Sequence, residues 1–241
     1  MLKEGRLDNL SEYVLIGLGC GHGTLWRFLE DPKDVSGSAR TIEVHTGRYR
    51  GARISTVSIP GGGVYVEWIA RILALKGFGV AIGIGFCGAL SEELELGDAV
   101  IPIASARDED TTDHYSTKKM PAVADFELVR LLLENSKRVG LRTHVGPIVT
   151  TSASLREDED FISEWRRNRV LCVDCEVSVL YLISHMYGIR AGSILVVSDS
   201  LVKERSPINF PERVEGSFRR AIKAALESLK ESWEVTSLKK C

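Results

Sequence analysis

Two short acidic stretches offer the clearest prospect of chemistry in this sequence. VDCE, residues 173–176, puts Glu176 where an apolar run gives way to a helical pattern, and VVSDS, residues 196–200, puts Asp199 at the end of another apolar run. A carboxylate at a helix N-terminus gains about 0.3–1 kcal/mol from the helix dipole, so capping alone accounts for Glu176 as readily as function does. Asp199 alone reads equally well as a cap or turn residue. Together the two carry more weight, because carboxylates at two strand ends can share one cleft and work on one bound molecule.

Two glycine-rich stretches follow apolar strands. GLGCGHGT, residues 17–24, resembles a dinucleotide loop, but the GxGxxG spacing fails: counted from Gly17 the third glycine is His22, and counted from Gly19 it is Thr24. What remains is either a glycine turn opening a helix, whose free amides coordinate an anion, or a plain tight turn. AIGIGFCGAL, residues 81–90, reads as a short strand entering a glycine-rich turn over 83–88 with no charged side chain beside it. Neither the GxSxG of a serine hydrolase nor a P-loop occurs. Cys172 and Cys175 form a CxxC, yet no second pair follows at zinc-site spacing, and their apolar surroundings favour buried thiols. The polar run RDEDTTDHYSTKK, residues 107–119, reads as a solvated surface loop rather than a metal site, and no metal ligand set is expected.

The elements that must position these residues alternate between strand and helix patterns. Strands are expected at 13–17, 41–49, 53–59, 80–85, 98–106, 143–151, 170–173 and 194–197, with helices at 65–76, 126–139, 176–187 and 211–233. That alternation predicts a single α/β domain over residues 1–241, three-layered α/β/α with a mixed, mostly parallel central sheet. Ligands in such sheets sit beyond strand ends, which directs attention to 17–24, 83–88, 150–156 and 198–200. The 241 residues carry 31 basic and 33 acidic side chains, so no broad basic surface is available for a nucleic-acid polymer. The sequence shows no apolar stretch of membrane-spanning length and no signal-peptide pattern near residue 1, and five scattered cysteines suit a reducing compartment. The expected setting is the cytoplasm, with no membrane partner.

These motifs together resemble the nucleoside phosphorylase and uridine phosphorylase family of trimeric and hexameric enzymes, which includes purine nucleoside phosphorylases and methylthioadenosine nucleosidases. RYRGARIS at 48–55, the 77–90 strand and glycine segment, the GD of Gly97 and Asp98, VDCE and VSD carry the likeness, which runs from Tyr13 to about Ser228. The resemblance implies cleavage of the N-glycosidic bond of a purine nucleoside, most simply by phosphorolysis to free base and ribose 1-phosphate. It implies that Glu176 accepts hydrogen bonds from the ribose hydroxyls, with Cys175 beneath the sugar. Val173, Phe86 and Ser198 would line the base pocket. Asp199 would serve N7 of the departing purine, assisted by Arg213. Gly19, Gly21, Gly85 and Arg40 would hold phosphate, Arg40 reaching in from a neighbouring subunit, so a homo-oligomer, trimer or hexamer, is expected. No cofactor is implied beyond inorganic phosphate as co-substrate.

The sequence departs from the family at the phosphate site. The positions expected to hold an arginine and a serine or threonine are Gly83 and Phe86, and the first glycine loop lacks its arginine. Losing two charge-assisted contacts weakens phosphate by roughly 10²- to 10⁴-fold. Two alternatives therefore stay open: a nucleosidase that uses water, and a non-catalytic relative that binds a nucleoside.

Overall fold

The computed structural model describes residues 9–36, 41–76, 79–203 and 211–238. Ten strands form one sheet. They are β1 (Tyr13–Gly17), β2 (Glu30–Asp34), β3 (Glu43–Tyr49), β4 (Ala52–Ser58), β5 (Val80–Ala89), β6 (Ala99–Asp108), β7 (Ala122–Val123), β8 (Thr143–Thr151), β9 (Cys172–Asp174) and β10 (Arg190–Ser200). The helices are α1 (Gly63–Ala74), α2 (Phe126–Arg138), α3 (Glu159–Arg167), α4 (Val177–Met186) and α5 (Glu212–Leu238). Strand order is β10-β6-β8-β9-β5-β1-β4-β3-β2, with β7 on β6 and a further pairing of β10 with β5. The centre, β4-β1-β5-β10, is parallel, while β3 on β4, β9 on β5 and β6 on β10 are antiparallel, which makes the sheet mixed.

Strict alternation along the central strands builds the layers. Val14 and Ile16 of β1, with Ala81 of β5, face one side and pack on Val66, Ile69 and Leu73 of α1 and Leu180 of α4. Leu15, Ile82, Ile84, Ile194 and Val196 face the other side, against Leu132 of α2 and Val214, Phe218 and Ile222 of α5. Each fully buried Leu or Ile contributes about 1.5–3 kcal/mol, so a one-residue slip of β1 or β5 would forfeit both layers at once. A third cluster, Leu90, Val149, Val170 and Val173, is covered by Phe161, Ile162 and Trp165 of α3.

Three expectations are corrected here. The glycine-rich stretch 83–88 is not a turn: β5 continues through it to Ala89, paired residue for residue with β10 as far as Cys87. Its glycines serve close approach, since a Cβ on Gly83 would lie 2.9 Å from both Leu18 Cδ1 and Leu180 Cδ2. The first glycine loop opens no α-helix, only a 3-10 turn over Leu25–Phe28, so no helix dipole stands behind it. The polar run 107–119 is anchored rather than solvated at its start. The Arg107 side chain is 4% exposed, and its guanidinium donates to Thr112 Oγ1, Asp113 Oδ1 and the carbonyls of Ser116, Thr117 and Met120. β2 and α3 are elements that the apolar pattern did not signal. Among the described residues, no helix is long and apolar enough to cross a membrane.

Candidate active site

β5 is the floor of the site. One edge of it pairs with β1 over Val80–Ile84 and with β9 at Gly88 and Ala89, so the ladder on that side passes from one strand to the other across residues 85–87. Two connections converge on this stretch. The loop after β1 enters it, with Leu18 N–H donating to Ile84 O (2.8 Å) and Cys20 Sγ 3.3 Å from the same oxygen. From the opposite side comes the turn between β9 and α4, which carries Glu176.

Glu176 is buried and occupies the N-cap position of α4. Its Oε1 accepts from Gly62 N–H at 2.6 Å, the residue that precedes α1, and lies 3.5 and 3.9 Å from where Cβ atoms on Gly61 and Gly19 would stand. One carboxylate thus meets the starts of two helices and the glycine loop, an arrangement that favours negative charge there. Burial nonetheless raises its pKa above the carboxylate norm, opposed in part by the Gly62 and Cys175 amides. Beneath it sits Asp174, which the sequence reading passed over. Asp174 accepts from the Glu176 and Val177 amides (3.1 and 2.8 Å) and from Thr150 Oγ1 (2.6 Å), and so supplies the side-chain cap of α4. Its pKa is pushed up to about 7, first by burial and then by the neighbouring Glu176 charge. Glu109 extends this network. It accepts from Ser178 Oγ (2.9 Å) and Thr112 N–H (3.0 Å), and ties the 107–120 segment to the first turn of α4.

Asp199 enters from the other edge of β5. The β10 register slips between Val197 and Asp199, a bulge that re-aims the side chain. Asp199 Oδ2 then stands 3.1 Å, and Val173 Cγ1 3.3 Å, from the position a Cβ on Gly88 would take. Ser198 Oγ donates to Asp199 Oδ1 at 2.6 Å and lies 3.3 Å from Cys87 O. Leu201 Cδ1 (2.5 Å from the same position), Asp199 and Val173 therefore close over one glycine, with Ser198 held beside Asp199, and Glu176 follows Val173 by three residues on the same turn.

The remaining expected residues are placed as follows. Cys175 is half-buried beside Glu176, with its thiol pushed up to about 12 by burial and the Glu176 charge, so it offers a neutral, soft surface. Phe86 turns toward α5 and stacks on Phe218 at 4.7 Å between centroids. Gly85 lies in the β5 ladder opposite Leu195, where a Cβ would stand 3.1 Å from Leu18 Cβ, and does not present the turn amide expected of it. Gly19 and Gly21 adopt φ of 63° and 87°, and a Cβ on Gly21 would lie 2.7 Å from Leu25 Cγ. Arg213 is a further correction: its guanidinium is 3.9 Å from Asp98 Oδ1, not at Asp199. Asp98 is buried and already engages His144 and Arg142, and the Arg213 side chain reaches it across Gly97, with Cγ 3.1 Å from where a Cβ there would stand. Arg40 falls outside the described residues. Among the described residues, no group of three or more His, Cys, Asp or Glu side chains is arranged to hold a metal ion.

A phosphorylase-like fold with this strand-end site agrees with what the chain resembles. The model of the phosphorylase superfamily matches residues 13–232, and the chain belongs to that family. It is 26% identical over 208 residues to a guanosine phosphorylase of Halorubrum lacusprofundi, covering 83% of this chain and 85% of that protein. It is 30% identical over 205 residues to a DeoD-type purine nucleoside phosphorylase of Thermoanaerobacter sp., with the same coverage. A crystal structure of uridine phosphorylase from Vibrio fischeri superposes with a TM-score of 0.85 at 22% identity over 93% of each chain, a likeness of fold. The nucleoside phosphorylase family is thereby fixed, and its relatives span purine and pyrimidine names.

Proposed function

We propose that this protein cleaves the N-glycosidic bond of a purine nucleoside by phosphorolysis, with inorganic phosphate as co-substrate and no other cofactor. The carrying observation is the placement of Asp199 Oδ2 and Val173 Cγ1 about Gly88, with Glu176 on the turn that Val173 begins. In this reading the base lies against Val173 beside Gly88, whose own face Leu201 covers, and Asp199 supplies a proton or hydrogen bond to N7, worth roughly 10²- to 10⁴-fold in rate. The C1′–N9 bond breaks with its electron pair leaving on the base. Positive charge then grows on the ribose, and the Glu176 carboxylate, gripping the 2′- and 3′-hydroxyls, stabilises it more than it stabilises the ground state. A phosphate oxygen forms the new bond to C1′, giving ribose 1-phosphate.

A second reading, hydrolysis, is favoured by one specific feature. The space beside Gly83, where the family likeness calls for an arginine, is filled by Leu18 and Leu180. Incubating adenosine, inosine, guanosine and uridine with and without phosphate, followed by chromatography, tests both. Purine release that requires phosphate is the expected result. Release unaffected by phosphate assigns hydrolysis, release of uracil alone overturns the purine assignment, and calorimetric binding without any turnover leaves a nucleoside-binding relative.

A further inference from the structure

The glycine loop at residues 17–24 carries no lysine or arginine, and its amides are partly spoken for. Thr24 and Leu25 N–H groups turn back onto Gly21 O (2.9 and 3.2 Å), and Gly23 N–H donates to Glu43 Oε2 at 2.8 Å. At the other end of the loop, Glu176 Oε1 lies 3.9 Å from the Cβ position of Gly19. The loop is thus bracketed by two carboxylates. Glu43 is no stray surface contact: it opens β3 opposite Ser58 of β4, and Ser58 is in register with Gly17, the residue from which the loop springs. His45, two residues along the same face, stacks on Trp26 at 5.1 Å, and the Arg27 guanidinium lies 5.6 Å over that indole. His22 Nε2 is 3.3 Å from Thr41 O.

We infer that Glu43 sets how tightly the loop holds its acceptor: it is the loop's resident anion, it occupies the Gly23 amide, and it lowers the affinity for the phosphate co-substrate without touching the nucleoside side. This rests on the reading of the loop as the acceptor side of a glycosidic cleavage site. An amide that already serves a carboxylate is lost to a phosphate oxygen, and a fixed negative charge within one loop's width repels a dianion. The effect is specific to the acceptor, because Glu43 stands at the far end of the loop from Glu176, where the nucleoside would be held.

The test uses the full-length protein and its Glu43→Gln variant, which keeps an acceptor for Gly23 but removes the charge. Phosphate KM in base release, and phosphate Kd by calorimetry without nucleoside, should both fall roughly tenfold, nucleoside KM should hold, and the gap should narrow at high salt. Glu43→Thr, a second neutral side chain, should show the same shift, and Glu43→Asp should keep phosphate weak. Phosphate constants within twofold of the parent in both neutral variants overturn the inference, as does an equal shift in nucleoside KM. If no nucleoside is cleaved by any of these proteins, the proposed function fails, while calorimetry with phosphate still decides the role of Glu43.

Discussion

At the scale of single residues, the three carboxylates of the site have separable duties. In the proposed reaction Asp199 serves the base, so Asp199→Asn should lower kcat by about 10²-fold or more with little change in nucleoside binding, read from steady-state kinetics beside calorimetry. Glu176→Gln should both weaken binding and slow turnover, because a ribose contact strengthens as charge develops. Asp174 is predicted to act on stability. Its folded pKa, about 7, stands above the unfolded value near 4. The unfolded chain therefore releases this proton first as pH rises, and the fold loses stability between about pH 4 and 7, with no further loss above. Urea midpoints measured across that range should fall in the parent protein. Asp174→Asn should flatten the fall, leaving the smaller contribution of Glu176. A variant with an unchanged slope would mean that Asp174 is ionised throughout.

At the scale of elements, the 107–120 segment is where sequence and structure part most sharply. Arg107, buried beneath its own loop, serves three carbonyls and two side chains, and Thr112 links it through Glu109 to Ser178 at the start of α4. Arg107→Ala should cost roughly 1–3 kcal/mol in urea unfolding, since it strands several part-buried acceptors at once, and should reduce activity by loosening the turn that holds Glu176. A loss below about 1 kcal/mol would return the segment to the status of a solvated loop. Apolar periodicity was enough to mark β1 and β8 at their observed ends, because β1 is buried throughout and β8 over its last four residues. It failed at β5, where glycines suggested a turn although the sheet demanded close approach to Leu18, Leu180 and Leu201. It also passed over α3, whose Phe161, Ile162 and Trp165 lie at helical spacing among charged neighbours, with Asp158 as the overlooked cap. Glu176 and Asp199 were legible because each ends an apolar run. Asp174, Glu109 and Glu43 were not, because their partners lie 24, 69 and 20 residues away along the chain.

At the scale of the whole molecule, one sheet carries both helical layers, and the site depends on the strands that bind them together: β5 pairs with β1, β9 and β10 and contributes to both faces of the core. The outer surface is less complete. Along α1 and at its C-cap, Val64, Trp68 and Leu75 are 55%, 51% and 74% exposed, on the helix whose start meets Glu176 through Gly62. Large apolar side chains left in water on one helix are costly for an isolated subunit and fit a protein that works as a homo-oligomer. A 26.6 kDa chain should then sediment at micromolar concentration as a multiple of that mass, and base release per subunit should decline on dilution toward the dissociation range if a neighbour helps to close the site. Sedimentation as a monomer, with activity per subunit independent of concentration, would mean that each chain builds its site alone and that these exposed residues serve no association.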